Sequence, residues 1–371
     1  MSFSLYVHLP FCVKKCEYCD FESYAGRLGI MDDYISAVLA EAKECCLEYG
    51  AGSLSTAYFG GGTPSLMSPE QLTRLAGGLF ELFPPESCAE ITMEANPGAL
   101  TGGLLAAARR AGVNRLSIGL QAIQPRLLGT LGRIHTAPQA AQAVDMAQNA
   151  GIDNVSVDVM FALPDQSKAE LSDTLRFAAG LDVRHISCYS LILEEGTPLY
   201  RRVTKGELTL PDEETARDMQ LTAVKTLKEL GYNRYEISNY AKPGYESRHN
   251  SVYWTGGDYL GLGAAAHSYM RGERFSNPSL DEYMRGARHT ERETIDEGGR
   301  LEESILLETR MTKGLDLKKL EREHGTRAKD RLVSRARRYP AFIEATSEYL
   351  RFNDEGLMVH SYLVGELVDT L

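Results

Sequence analysis

The stretch HLPFCVKKCEYCDFESY, residues 8–24, places Cys12, Cys16 and Cys19 on one short loop, at spacings of three and two intervening residues. A thiolate is the soft ligand that suits iron–sulfur clusters and zinc. Three thiols this close can converge on one metal centre. A structural zinc site wants four protein ligands, usually as two spaced pairs. Here only His8, ahead of the loop, stands near as a fourth. A [4Fe–4S] cube can instead accept three thiolates and leave one iron open to a small chelating ligand. Spacing alone leaves zinc and the cube both standing.

Working outward, SLYVHLP (4–10) reads as a strand, so the cysteine loop follows a strand end. Beyond it, Ile35, Val38, Leu39, Ala42 and Cys46 mark one face of a helix between Asp32 and Glu48. The alternation continues. Strands are expected at 54–60, 90–95, 114–121, 152–161 and 185–193, and helices at 69–83, 104–111, 138–150, 168–179 and 213–230. Gly112, Gly151, Gly180 and Gly231 stop four of these helices. Strict alternation predicts an α/β fold with a parallel sheet and covering helices. Six such units in this length suit an incomplete (βα)6 barrel over residues 1–235. Barrel chemistry sits where strands end. The polar signals cluster there: the cysteines, Gly60-Gly61-Gly62-Thr63, Glu94, Gln121 and Asp158.

The pattern changes in residues 236–371, which are expected to form a C-terminal α+β domain. NSVYW (250–254), GLGAAAHSYM and RGERFSN read as short β pieces and turns. Helices are expected near 300–311, 316–324 and 326–338, then a hairpin turning at Asn353-Asp354-Glu355-Gly356. Helices followed by a hairpin suggest a winged-helix-like module. From Lys313 to Arg338 ten Lys or Arg face four Asp or Glu, yet the whole chain carries −11, so a solvated basic face is expected rather than a nucleic-acid partner. The seven cysteines, two of them adjacent at Cys45 and Cys46, do not form a secreted disulfide framework. The opening MSFSLYVHLP has no signal-peptide pattern, and no apolar run reaches the ~18–20 residues that span a bilayer. A cytoplasmic protein is expected.

The CxxxCxxC loop resembles the signature of the radical S-adenosylmethionine (SAM) family. That resemblance implies a [4Fe–4S] cluster on Cys12, Cys16 and Cys19, with SAM chelating the open iron. It implies that the Gly60–Thr63 run meets the methionine part of SAM and that Tyr6 lies beside the cluster. LYVHLPFCVKKCEYC (5–19) is similar to the hallmark of the oxygen-independent coproporphyrinogen III oxidase branch. On that likeness Glu94, Gln121, Arg133 and Asp158 would hold SAM. Two departures point to the sister group of HemW-type heme chaperones. Phe21 stands where the oxidases carry a fourth cysteine, and their N-terminal extension is missing here. Arg248-His249-Asn250-Ser251-Val252-Tyr253-Trp254 is similar to that group's HNxxYW segment. By that likeness His249, Asn250, Tyr253 and Trp254 would bind heme, with His267 a second candidate iron ligand. Composition alone reads the same segment as a turn histidine before two core aromatics. The implied function is heme delivery to heme-requiring apoproteins, respiratory enzymes among them, with a homodimer as a further expectation. The alternative is coproporphyrinogen III oxidase activity.

Overall fold

The computed structural model describes residues 2–289 and 292–368. Six parallel strands form its centre: β1 (Ser2–Leu9), β2 (Ser53–Gly61), β3 (Pro85–Ala95), β4 (Arg115–Gln121), β5 (Asn154–Phe161) and β6 (His185–Ser190), in that spatial order. Between them run α1 (Met31–Tyr49), α2 (Pro69–Leu82), α3 (Gly102–Arg110), α4 (Ala137–Asn149) and α5 (Lys168–Gly180), and α6 (Glu213–Glu229) follows β6. The helix starts are chemically marked. Ser68 with Gln71, and Ser167 with Glu170, satisfy each other's orphan backbone donors in reciprocal capping boxes.

Parallel strands covered on both faces read as continuous apolar runs. These do not. In β4, Leu116, Ile118 and Leu120 enter the core under the helices, while Arg115, Ser117, Gly119 and Gln121 line an interior cavity. The period of two thus sets a helix-covered outer face against a polar inner one. That is the wall of a partial barrel with a usable interior.

The sheet continues past residue 235 and gains strands on both sides. Strand β7 (Asn239–Ala241) pairs antiparallel with β6. Strand β8 (Tyr259–Leu262) pairs parallel with β1, Ser4 opposite Tyr259. Antiparallel strands β9 (His267–Met270), β10 (Glu273–Ser276) and β11 (Arg292–Thr294) extend that edge.

Between β7 and β8 lies helix α7 (Arg248–Trp254), where short β structure is expected from the sequence. Tertiary contacts decide the difference. Ser247 Oγ accepts from Asn250 N, and the Glu90 carboxylate accepts from the N–H groups of Arg248 and His249 at 3.1 and 2.9 Å. A carboxylate at the positive end of a helix offsets the poor intrinsic propensity of His, Asn and Val.

The remaining elements are α8 (Glu297–Glu308), β12 (Leu315–Asp316), α9 (Leu317–Ala336), β13 (Ile343–Ala345), β14 (Tyr349–Phe352) and α10 (His360–Val368). They pack around their own apolar core, which includes Leu320, Leu332, Leu350 and Leu363. Helix α9 is broken at Gly325, whose φ of 84° lies in the left-handed region. The expected hairpin at 353–356 is not formed. Asn353 instead caps the short helix Asp354–Met358, its Oδ1 accepting from Gly356 N at 2.8 Å. The hairpin is one strand earlier, between β13 and β14. Asn and Asp serve helix caps as readily as turns, and the pattern does not separate the two.

Candidate functional site

The loop after β1 is held in place at both ends. Phe11 and Cys12 pair with Tyr24 and Ala25, and Glu17 N donates to Leu131 O at 3.0 Å. Each cysteine sulfur is half-buried and lies near a potential donor. Thr63 Oγ1 is 3.5 Å from Cys12 Sγ, Arg133 Nη1 is 3.6 Å from Cys16 Sγ, and Ser23 Oγ is 4.0 Å from Cys19 Sγ. Burial pushes the Cys12 and Cys19 thiols above their ordinary range. A metal centre would reverse that by taking them as thiolates. Among the described residues no three His, Cys, Asp or Glu side chains close around a single ion. A cube asks for something else, one thiolate per iron, and hydrogen-bond donors aimed at the sulfurs suit it.

The three cysteines open onto a cavity of about 560 Å3 at the strand ends. Gly61, Gly62, Thr63, Glu94, Gln121, Arg133 and Asp158 line it as well, so strand ends bring most of the expected set together. Two glycines there cannot be replaced freely. Gly61 has φ 109°, and a Cβ would lie 2.6 Å from the His8 ring; one on Gly62 would lie 2.7 Å from Phe11 O. Tyr6 and Gly60 stand behind the wall. The Tyr6 hydroxyl bonds His8 Nδ1 at 3.0 Å, and its ring stacks on Tyr58, which does face the cavity.

Glu94 is partly buried and lines the cavity. Its Oε1 accepts from Tyr58 OH at 2.8 Å and its Oε2 from Gly61 N at 3.1 Å. Burial nevertheless pushes its carboxyl up to about 7. Burial also raises Asp158, opposed by hydrogen bonds from Ser187 and Ser117 and by the Arg115 charge. Gln121 holds φ 64°, a left-handed conformation rare outside glycine, where β4 slips register against β5. Strain of this kind collects at functional positions. Its Oε1 accepts from Tyr189 OH at 3.3 Å. Arg133 donates to Gly119 O at 2.9 Å. A Cβ on Gly119 would lie 2.7 Å from Arg133 Nη2.

Sequence reasoning missed Gly119, Ser117, Ser187, Tyr189 and Arg115. They come from alternate positions of β4 and β6, and only the period-two reading of those strands could have found them.

The HNxxYW residues do not gather at one place. His249 is 1% exposed. Its Nδ1 is 2.7 Å from Thr56 Oγ1 and its Nε2 is 2.8 Å from Tyr253 OH, so both ring nitrogens are engaged. Burial and the Arg115 charge push it down to about 3, so the ring is neutral. Asn250 faces the barrel cavity. Tyr253 and Trp254 face a second cavity of about 780 Å3, between α7, the β8–β10 strands and helices α8 and α9. His267 is exposed on β9. An accessible iron ligand at position 249, expected from the sequence, is therefore not what this packing presents.

Comparison with known proteins agrees with the barrel. Residues 6–178 match the Radical SAM superfamily. The heme chaperone HemW of Bacillus subtilis is 36% identical over 329 residues, 87% of this chain and 87% of that protein. HemW of Escherichia coli is 40% identical over 265 residues, 71% of this chain and 69% of that one. The solved coproporphyrinogen III oxidase HemN of Escherichia coli, a radical SAM enzyme, superposes with a TM-score of 0.85 over 99% of this chain and 90% of its own, at 20% identity, a likeness of fold. A strand-end cysteine trio, the glycine run behind it and relatives this similar over most of their length lead to one assignment: the chain belongs to the radical SAM superfamily and, within it, to the family of HemW heme chaperones.

Proposed function

We propose that this protein binds heme and delivers it to heme-requiring apoproteins. The observation that supports the reading is one cavity lined by the cysteine trio and most of the expected SAM residues, in a chain with heme chaperones among its relatives. Cys12, Cys16 and Cys19 would hold the [4Fe–4S] cluster, whose bound form supplies an electron to SAM. Arg133 would fork onto the methionine carboxylate, Gln121 and Asp158 would meet ribose hydroxyls, and Glu94 and the Gly60–Thr63 run would face the methionine amino group. Tyr6 would act from behind Tyr58. Residues 1–235 would thus serve the cluster and SAM, and residues 236–371 the heme. Segment 248–254 would form the edge of the heme site. Tyr253 and Trp254 would pack on the porphyrin, while His249 and Asn250 position the helix between the two cavities. The helices and hairpin of 297–352 read as a winged-helix-like module. We place the protein in the cytoplasm, as a homodimer, with membrane-associated respiratory enzymes among its recipients. Among the described residues no helix is long and apolar enough to cross a membrane.

Anaerobic reconstitution with iron and sulfide, heme titration and transfer to a heme-free acceptor test this. Heme binding followed by transfer is expected. Coproporphyrinogen III oxidase activity is the second reading, favoured only by the shared fold. Protoporphyrinogen IX formed from coproporphyrinogen III, SAM and reductant would overturn the chaperone assignment.

A further inference from the structure

Resting on the heme reading, we propose that the second cavity, at the seam of sheet and C-terminal helices, is the porphyrin seat and that His324 is its iron ligand. Its volume, about 780 Å3, falls in the ~300–1,000 Å3 range of small-molecule sites. Its sheet-side wall is aromatic. Tyr253 meets Tyr259 edge-on at 4.7 Å, with Trp254 beside them. Flat rings at an apolar wall suit a macrocycle face.

The helix-side wall supplies the metal chemistry. His324 is the last residue before the Gly325 break of α9, and it is half-buried. Its Nδ1 is buried and has no hydrogen-bond partner among the described residues. A polar atom left so in a native fold asks for an explanation, and an imidazole in a cavity is a ready ligand for iron. His249, with both nitrogens spent, is not.

Three cations that could meet propionates, Arg274, Arg300 and Lys319, line the cavity beside four glutamates, Glu297, Glu303, Glu308 and Glu323. Lys319 and Arg274 are already paired, with Glu308 at 2.7 Å and Glu303 at 2.8 Å. Arg300 donates to a backbone carbonyl, Ile295 O at 2.7 Å, and to no carboxylate. Among the described residues of the lining, its charge is the one available to a propionate without breaking an ion pair. The same wall links to the barrel. His249 stacks on Tyr58, centroids 4.9 Å apart, and bonds Tyr253, so one buried ring touches a lining residue of each cavity.

The test is titration of the reconstituted, full-length protein with ferric heme, read by absorption. His324→Gly should weaken binding at least tenfold and change the Soret band, and added imidazole should restore the band. Arg300→Glu should weaken binding several-fold and leave SAM binding unchanged. It serves as the independent arm should the glycine variant fold poorly. Unaltered heme spectra and affinities in both variants, with the parent binding heme, would overturn the His324 site and leave the chaperone reading intact. A parent that binds no heme would overturn both.

Discussion

The two cavities are built in opposite ways. The barrel cavity is assembled from the ends of consecutive parallel strands, and burial raises its two acids, Glu94 and Asp158, above their ordinary range. The seam cavity is assembled from elements far apart in the chain, α7, β8–β10, α8 and α9, and it holds two ion pairs, Arg274–Glu303, partly exposed, and Lys319–Glu308, whose carboxylate is buried. The first is a fixed electrostatic cage. The second is a groove whose partly exposed Arg274–Glu303 pair can exchange for a ligand's charge, since such pairs are each worth little.

The sharpest way to break this contrast is to remove the cluster. Cys16→Ala should yield a colourless anaerobic preparation with no acid-labile sulfide. Heme affinity should change less than about threefold if the cavities are thermodynamically separate; a complete loss would make them one site.

Protonation separates them next. His249 has a folded value near 3 against an ordinary 6.5. The unfolded chain therefore takes up a proton that the folded chain refuses as pH falls from 6.5 toward 3. Stability is lost across that window, on the order of 5 kcal/mol in full. His249→Gln should flatten the acid limb of a urea-midpoint profile. Glu94 acts with the other sign. Its value is raised from 4.5 to about 7, so the folded chain keeps a proton that the unfolded chain has released. Stability falls as pH rises from 4.5 to 7, by roughly 3 kcal/mol, and stays level above. Glu94→Gln should remove that slope in apoprotein melts.

A smaller change sharpens the comparison. Gly119→Ala would drive a methyl into Arg133 and turn the guanidinium away from Cys16. SAM binding, followed by equilibrium dialysis, should weaken about tenfold, or ~1.4 kcal/mol, with heme binding unchanged. The smallest effect is expected at the seam. The Arg310 guanidinium lies 4.2 Å above the Trp254 ring and 3.6 Å from the buried Glu236 carboxylate; Arg310→Leu removes a ring contact worth about 0.5–1 kcal/mol to the fold and should lower heme affinity by less than about threefold.

What could be read ahead of the structure follows the same division. Cys12, Cys16, Cys19 and the glycine run lie in short contiguous segments. Glu94, Gln121 and Asp158 stand at strand ends that periodicity locates, so the barrel cavity was legible. Gly119 was not singled out, because its need is steric and appears only when Arg133 folds over it. The 250–254 segment was misread because its helix depends on Glu90, far away in the chain. The seam cavity has no local signature. Arg274, Arg300, Lys319 and His324 become neighbours only through packing, and α9 shows only a basic composition.

The two late strands flanking the parallel six carry a consequence for biosynthesis. Strand β8 supplies the outer neighbour of β1, and β7 that of β6. A nascent polypeptide released as far as residue 235 would present bare hydrogen-bonding borders on both sides, the template on which chains aggregate. Ser4 must wait for Tyr259, and pairings so distant in sequence close slowly. Translation would have to run well past the sixth strand before β1, paired with β2 on its inner side, gains its outer neighbour.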